Sequence, residues 1–185
     1  MKKLAIATVL AGTVVSFSSM ATNTGIINFE GSVVNSPCNI EQSSTKQTVD
    51  FGQLSRKALE SGTAAEADFD IKFTGCDFTN FSQTTGEDGK VTINPVKTMS
   101  LTFTGQTYAD TAQTMLTTSA GNANNLGIAI DGFTFGTAQN VLPRIANEIG
   151  DNTLRFKALA KAVDTQKAVG EGRFSSIANF RITYQ

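Results

Sequence analysis

The chain has 185 residues, with 15 Lys and Arg against 16 Asp and Glu, two Cys, no His and no Trp. Without imidazole there is no His general base, no Ser-His-Asp or Cys-His nucleophile pair and no His-ligated zinc, and no motif calls for another metal or a cofactor. A formal net charge of −1 gives no basic excess to neutralise phosphates, so no nucleic-acid partner is expected, while 40% apolar residues suffice for the core of one domain.

Residues 1–21 read as an export signal. Lys2 and Lys3 make a positive start, Leu4 to Val15 is an apolar stretch of about a dozen residues, and Ser19-Met20-Ala21 has the small-x-small form of a cleavage site. A core helix would not begin with a charged pair and dissolve into Ser16-Phe17-Ser18-Ser19. Cleavage after Ala21 leaves 164 residues starting at Thr22, and because Lys2 and Lys3 go with the leader, 13 basic residues face 16 acidic ones.

The next segment, residues 22–34, places Gly25, Ile27, Phe29, Gly31 and Val33 on one strand face and Thr24, Asn28, Glu30 and Ser32 on the other. That alternation suits a strand buried on one side. Cys38 and Cys76 follow, an isolated pair that in an oxidising compartment is most simply a disulfide. Closing the loop between them removes about 4 kcal/mol of denatured-state entropy in the chain-entropy account. Gln53 to Ser61, ended by Gly62, is the one short helical stretch.

From there the pattern has period two: Phe69, Ile71 and Phe73; Met99, Leu101 and Phe103; Leu126, Ile128 and Ile130; Leu154, Phe156, Ala158, Ala160 and Ala162. The 25 Thr residues suit the outward faces of such strands. Asp-Gly pairs at 88–89 and 131–132 mark turns. Short strands at these intervals predict an antiparallel β-sandwich. Thr84 to Lys90 lacks the alternating carboxylates of a calcium loop and the spacing of a P-loop, and Glu66, Asp68 and Asp70 read as the solvated side of a half-buried strand. The chain closes on Phe174 to Gln185, again alternating, with Phe180, Ile182 and Tyr184 on one face. Both ends are consistent with the first and last strands of a closed sandwich.

Motifs along the chain add a second reading. Gly25-x-Ile27-x-Phe29-x-Gly31-x-Val33-Val34 is followed by Asn35-Ser36-Pro37-Cys38-Asn39-Ile40, Val49-Asp50-Phe51-Gly52, Phe73-Thr74-Gly75-Cys76 and Asn152-Thr153-Leu154-Arg155-Phe156. Gly172 stands fourteenth from the end, counting Gln185 as first, and Tyr184 is penultimate. In order and span these resemble the pilin subunits of chaperone-usher, type 1-like fimbriae of Gram-negative bacteria. Two features depart from that pattern: Ala158-Leu159-Ala160-Lys161-Ala162 is less aromatic, and Thr79 to Lys90 is a polar insertion expected as a surface loop.

The resemblance implies an incomplete immunoglobulin-like sandwich that lacks its last strand and has a groove along the C-terminal strand, from about Phe174 to Tyr184. It implies three parts: signal peptide 1–21, donor extension 22–34 and pilin domain 35–185. Gly25, Ile27, Phe29, Gly31 and Val33 would fill a neighbour's groove, and Gly172, Phe174, Phe180, Ile182 and Tyr184 would form the receiving strand that a chaperone recognises. The implied partners are neighbouring subunits, a periplasmic chaperone, an outer-membrane usher and, indirectly, tip adhesin or adaptor subunits. The expected product is a surface fimbria that supports adhesion, with this chain as the major subunit and a minor adaptor as the alternative. A secreted, monomeric carbohydrate-binding sandwich is the rival from another class; it needs an aromatic platform, and the chain offers only Tyr108 and Tyr184 besides Phe.

Overall fold

A computed structural model describes residues 25–118 and 124–185; the signal peptide lies outside them. The chain divides into two units, Met1–Val34 and Asn35–Gln185. In the first, Gly25 to Val34 has no regular secondary structure, and Ile27, Phe29 and Val33 are exposed.

The second unit is built from antiparallel strands. One sheet runs β1 (Asn39–Ile40), β2 (Ala65–Asp77), β9 (Ile149–Ala162), β7 (Leu126–Ile130) and β6 (Leu116–Thr117), in that spatial order. A second has β5 (Met99–Gly105) between β10 (Ala178–Tyr184) and β8 (Gln139–Asn140). A separate hairpin joins β3 (Ser82–Thr85) to β4 (Val91–Asn94), and two short helices, α1 (Gln42–Thr45) and α2 (Arg56–Glu60), lie between β1 and β2.

Alternating side chains decide which face of each strand is buried. Ile71, Phe73, Leu154 and Phe156 of the first sheet meet Met99, Leu101 and Phe103 of the second in one core. Phe103, Phe133 and Phe156 pack edge to face, with centroids 5.0 to 5.7 Å apart, an arrangement favoured by the ring quadrupoles. Arg144 lies over Phe156 at 4.6 Å and lids this cluster with its cation. The outward faces are polar: Asp68 opposes Lys157 and Asp70 opposes Arg155 across β2 and β9, and Glu66 pairs with Lys157 at 2.6 Å.

Cys38 and Cys76 form a disulfide, tying the start of this unit to the end of β2. Between Phe73 and Cys76 the β2–β9 register shifts, and Gly75 there has φ +60°, which a side chain would resist. The helix occupies only the second half of Gln53 to Ser61, because Ser55 stays extended and caps it by accepting from Ala58 N. Gly62, at φ +87°, turns the chain out of it, as the sequence indicates. The polar insertion is more ordered than a loop. Gly86 N donates to Lys90 O, Gly89 N donates to Gly86 O, and the Asp88-Gly89 turn lets β3 and β4 pair.

Asn152 is buried in β9. Its Oδ1 accepts from Ala146 N (3.0 Å) and Asn147 N (2.9 Å), and its Nδ2 donates to Asn147 O (2.8 Å). Asn152→Ala removes all three bonds and is expected to cost about 2 kcal/mol. A urea titration measures this as a lowered midpoint with an unchanged slope.

Candidate functional site: an open groove between two sheet edges

The second sheet ends at β10. This strand pairs along its length with β5, from Ala178 opposite Gly105 to Tyr184 opposite Met99, and has no strand on its other side among the described residues. The backbone groups on that side are an open edge. Phe180, Ile182 and Tyr184 pack against the core yet stay half-buried, while Asn179, Arg181 and Thr183 point to solvent.

The edge of the first sheet carries a matching wall. Gln47 Nε2 donates to Asp70 O (2.7 Å) and Ser44 O (3.1 Å), and the buried Ser44 hydroxyl accepts from Lys72 N (3.0 Å). These bonds hold residues 46–54 beside β2 without making them a strand. Between this wall and β10 runs a groove of ≈ 1440 Å³, floored by Phe69, Phe103, Ile128, Ile130 and Ala158. Phe69 and Ile128 are only half-buried although they share strand parity with fully buried neighbours, because they face the gap.

One end of the groove is fastened where Phe51 and Phe174 pack with tilted rings, centroids 6.1 Å apart, against the small cluster of Leu59, Leu126 and Val169. Gly172, at φ +132°, leads the chain into this contact through a conformation that glycine adopts freely. Farther along β10 Tyr184 packs on Phe81 at 6.2 Å, and Gln185 exchanges backbone bonds with Thr98 at 3.0 Å. Burial pushes the Tyr184 phenol above its ordinary pKa, partly offset by its hydrogen bond with the Ser36 side chain.

The sequence-level candidates thus separate into two groups. Gly172, Phe174 and Phe180 line the groove, while Ile182 and Tyr184 follow on the same strand face and pack against the core beyond it. Gly25, Ile27, Phe29, Gly31 and Val33 belong to the other unit, and a Cβ placed on Gly25 or Gly31 would meet no atom within 4 Å. The opposite wall was not assigned from the sequence. Its signal is Val49-Asp50-Phe51-Gly52, where Asp50 Oδ1 accepts from Gly52 N (2.8 Å) and Gly52 has φ +63°. Among the described residues no three His, Cys, Asp or Glu side chains gather as a metal site.

The model of the family described as Fimbrial protein matches residues 27–185. The chain belongs to the fimbrial protein family. It is 37% identical to KS71A fimbrillin of Escherichia coli over 201 residues, covering 100% of both chains. It is 36% identical to the PRS fimbrial major pilin protein of Escherichia coli, over 87% of this chain and 94% of that one. Among solved structures it is similar to a subunit of a chaperone-usher pilus studied for rod uncoiling, with TM-score 0.68, 34% identity and coverage of 90% of this chain and 99% of that one. Architecture and likeness agree on the pilin fold, an immunoglobulin-like sandwich.

The buried phenol sets a pH dependence. The folded protein holds the Tyr184 proton more tightly than the unfolded chain does, so the stability linked to it is complete below about pH 10 and is lost as pH rises through the raised value. Tyr184→Phe is expected to show a shallower loss of stability above about pH 10 than the parent protein, read as the difference between two denaturation series.

Proposed function

We propose that this chain is a major structural subunit of a surface fimbria, polymerised by donor-strand exchange, and that the groove is where a strand from another copy is received. The open edge of β10 beside an apolar floor carries this reading: strand addition satisfies the free backbone groups and covers Phe69, Ile128 and Phe180 in one step. The donor is residues 22–34. Its exposed Ile27, Phe29 and Val33 share one face, and burying each is worth roughly 1.5–3 kcal/mol. Gly25 and Gly31 lie on that same face and let the donor backbone approach the groove floor. Residues 35–185 form the domain that receives.

Until exchange occurs the groove needs a substitute strand, which assigns a periplasmic chaperone as first partner and an outer-membrane usher as the place of replacement. Export through the periplasm follows from the reading of residues 1–21. The match to a named major pilin over most of both chains favours a rod subunit above a minor adaptor. No catalytic role is assigned. A groove floored by Phe and aliphatic side chains offers no Tyr or Trp platform to a sugar, which counts against the carbohydrate-binding rival.

Deleting Thr22 to Gly31 is expected to leave a subunit that its chaperone still captures but that donates no strand. Electron microscopy of cells expressing only the deleted chain should find no filaments; full-length filaments would overturn the donor assignment. Phe180→Asp should weaken retention by the chaperone at least about tenfold in co-purification, as loss of a central apolar anchor does. Undiminished capture would count against the groove.

A further inference from the structure

The hairpin of β3 and β4 is two-faced. Asn94 Nδ2 donates to Thr84 Oγ1 (3.3 Å) on one side, where Ser82 and Thr92 also lie. On the other, Val91 stands opposite Thr85 and Ile93 opposite Gln83, and both aliphatic residues are 54% exposed. No side chain on this second face is charged. A two-stranded ribbon is marginal in water by itself, and a β-branched pair left in solvent gives it no core. Ile149, 67% exposed, adds apolar surface nearby, at the start of β9 opposite Asp77.

The hairpin's place in the fold says what covers it. Phe81 N donates to Asn94 O (3.0 Å) at the hairpin base, and the Phe81 ring packs on Tyr184, whose hydroxyl bonds to Ser36. Pro37 O accepts from Asp77 N (2.9 Å), and Phe78 N donates to Glu148 O (2.9 Å) just before Ile149. The point where the chain leaves the receiving domain toward residues 22–34 therefore lies at the same pole as the hairpin. The donor segment is short, so the domain that takes it must stand against this pole.

We infer that the Val91–Ile93 face of the hairpin is a second contact between successive subunits, packing on the copy into which the subunit's own donor strand is inserted. This rests on the donor-strand reading and goes beyond it. The ladder in the groove fixes register, while an apolar hairpin one strand away from the linker limits bending between the two domains. An alternating polar and apolar ribbon suits the task, since its Thr and Asn face remains compatible with water.

The absence of Trp makes this readable by fluorescence. Full-length chain carrying Ile93→Trp, its groove filled by a synthetic peptide of residues 23–34, is added to full-length subunit released from its chaperone. The peptide-filled chain then donates without accepting. On pairing, the indole emission is expected to move to shorter wavelength and iodide quenching to fall several-fold; Val91→Trp should behave the same way. Emission and quenching that stay unchanged in a pair shown by gel filtration to have formed would overturn the hairpin contact while leaving strand donation intact. If no pair forms, strand donation itself has failed, and the hairpin contact falls with it.

Discussion

One unpaired strand edge organises this molecule. A strand offers hydrogen-bonding groups on both sides, and β10 pairs on one side with β5 and on the other with no strand among the described residues. The two sheets cannot close over that edge, because residues 46–54 are fastened to β2 through Gln47 and Ser44 and do not cross to β10. The gap is held at one end by Phe51 against Phe174. A chain short of a strand would otherwise lower its exposed apolar area by collapse. Here the floor of Phe69, Ile128 and Phe103 rests on a core that is already close-packed, so collapse would have to break that packing.

The disulfide belongs to the same arrangement. Cys38 sits two residues after Ser36, which touches Tyr184, and is bonded to Cys76 at the end of β2. The first residues of the domain thus bridge the C-terminal strand of one sheet and the longest edge of the other. Surface charges contribute little by comparison. Glu66–Lys157 and Arg56–Glu171 are exposed pairs, of a kind worth at most about 1 kcal/mol each. Stability rests on the Phe-rich core and on backbone pairing.

Much of this architecture was legible in the sequence because side chains on a strand alternate between core and solvent. The parity of Ile71, Phe73, Met99, Leu101, Phe103, Leu154 and Phe156 assigns each to the interior, where the structure buries them. Parity does not report depth. Phe69 and Ile128 have the same signature as their neighbours but line the groove. The wall at residues 46–54 escaped because a segment that pairs with nothing has no alternation to read. The hairpin escaped for a different reason: its strands are exposed on both faces, so only the Asp88-Gly89 turn announced it. The bulge at Gly75 and the Arg144 lid over Phe156 depend on contacts distant in sequence, which no local pattern encodes.

If residues 22–34 are the donor, as proposed above, register is the remaining requirement, and the glycines of that segment bear on it as much as its large residues. A slip of one residue would turn Ile27, Phe29 and Val33 to solvent and offer Asn28, Glu30 and Ser32 to the floor. A slip of two would keep the apolar face inward yet exchange Gly31 for a large side chain. Alternation alone excludes the first error, and only a residue without a side chain at a fixed place excludes the second. The order Gly-x-Ile-x-Phe-x-Gly-x-Val carries both instructions in nine residues. Under the donor-strand proposal the segment therefore carries a recognition code, written as a size pattern along one face of a strand.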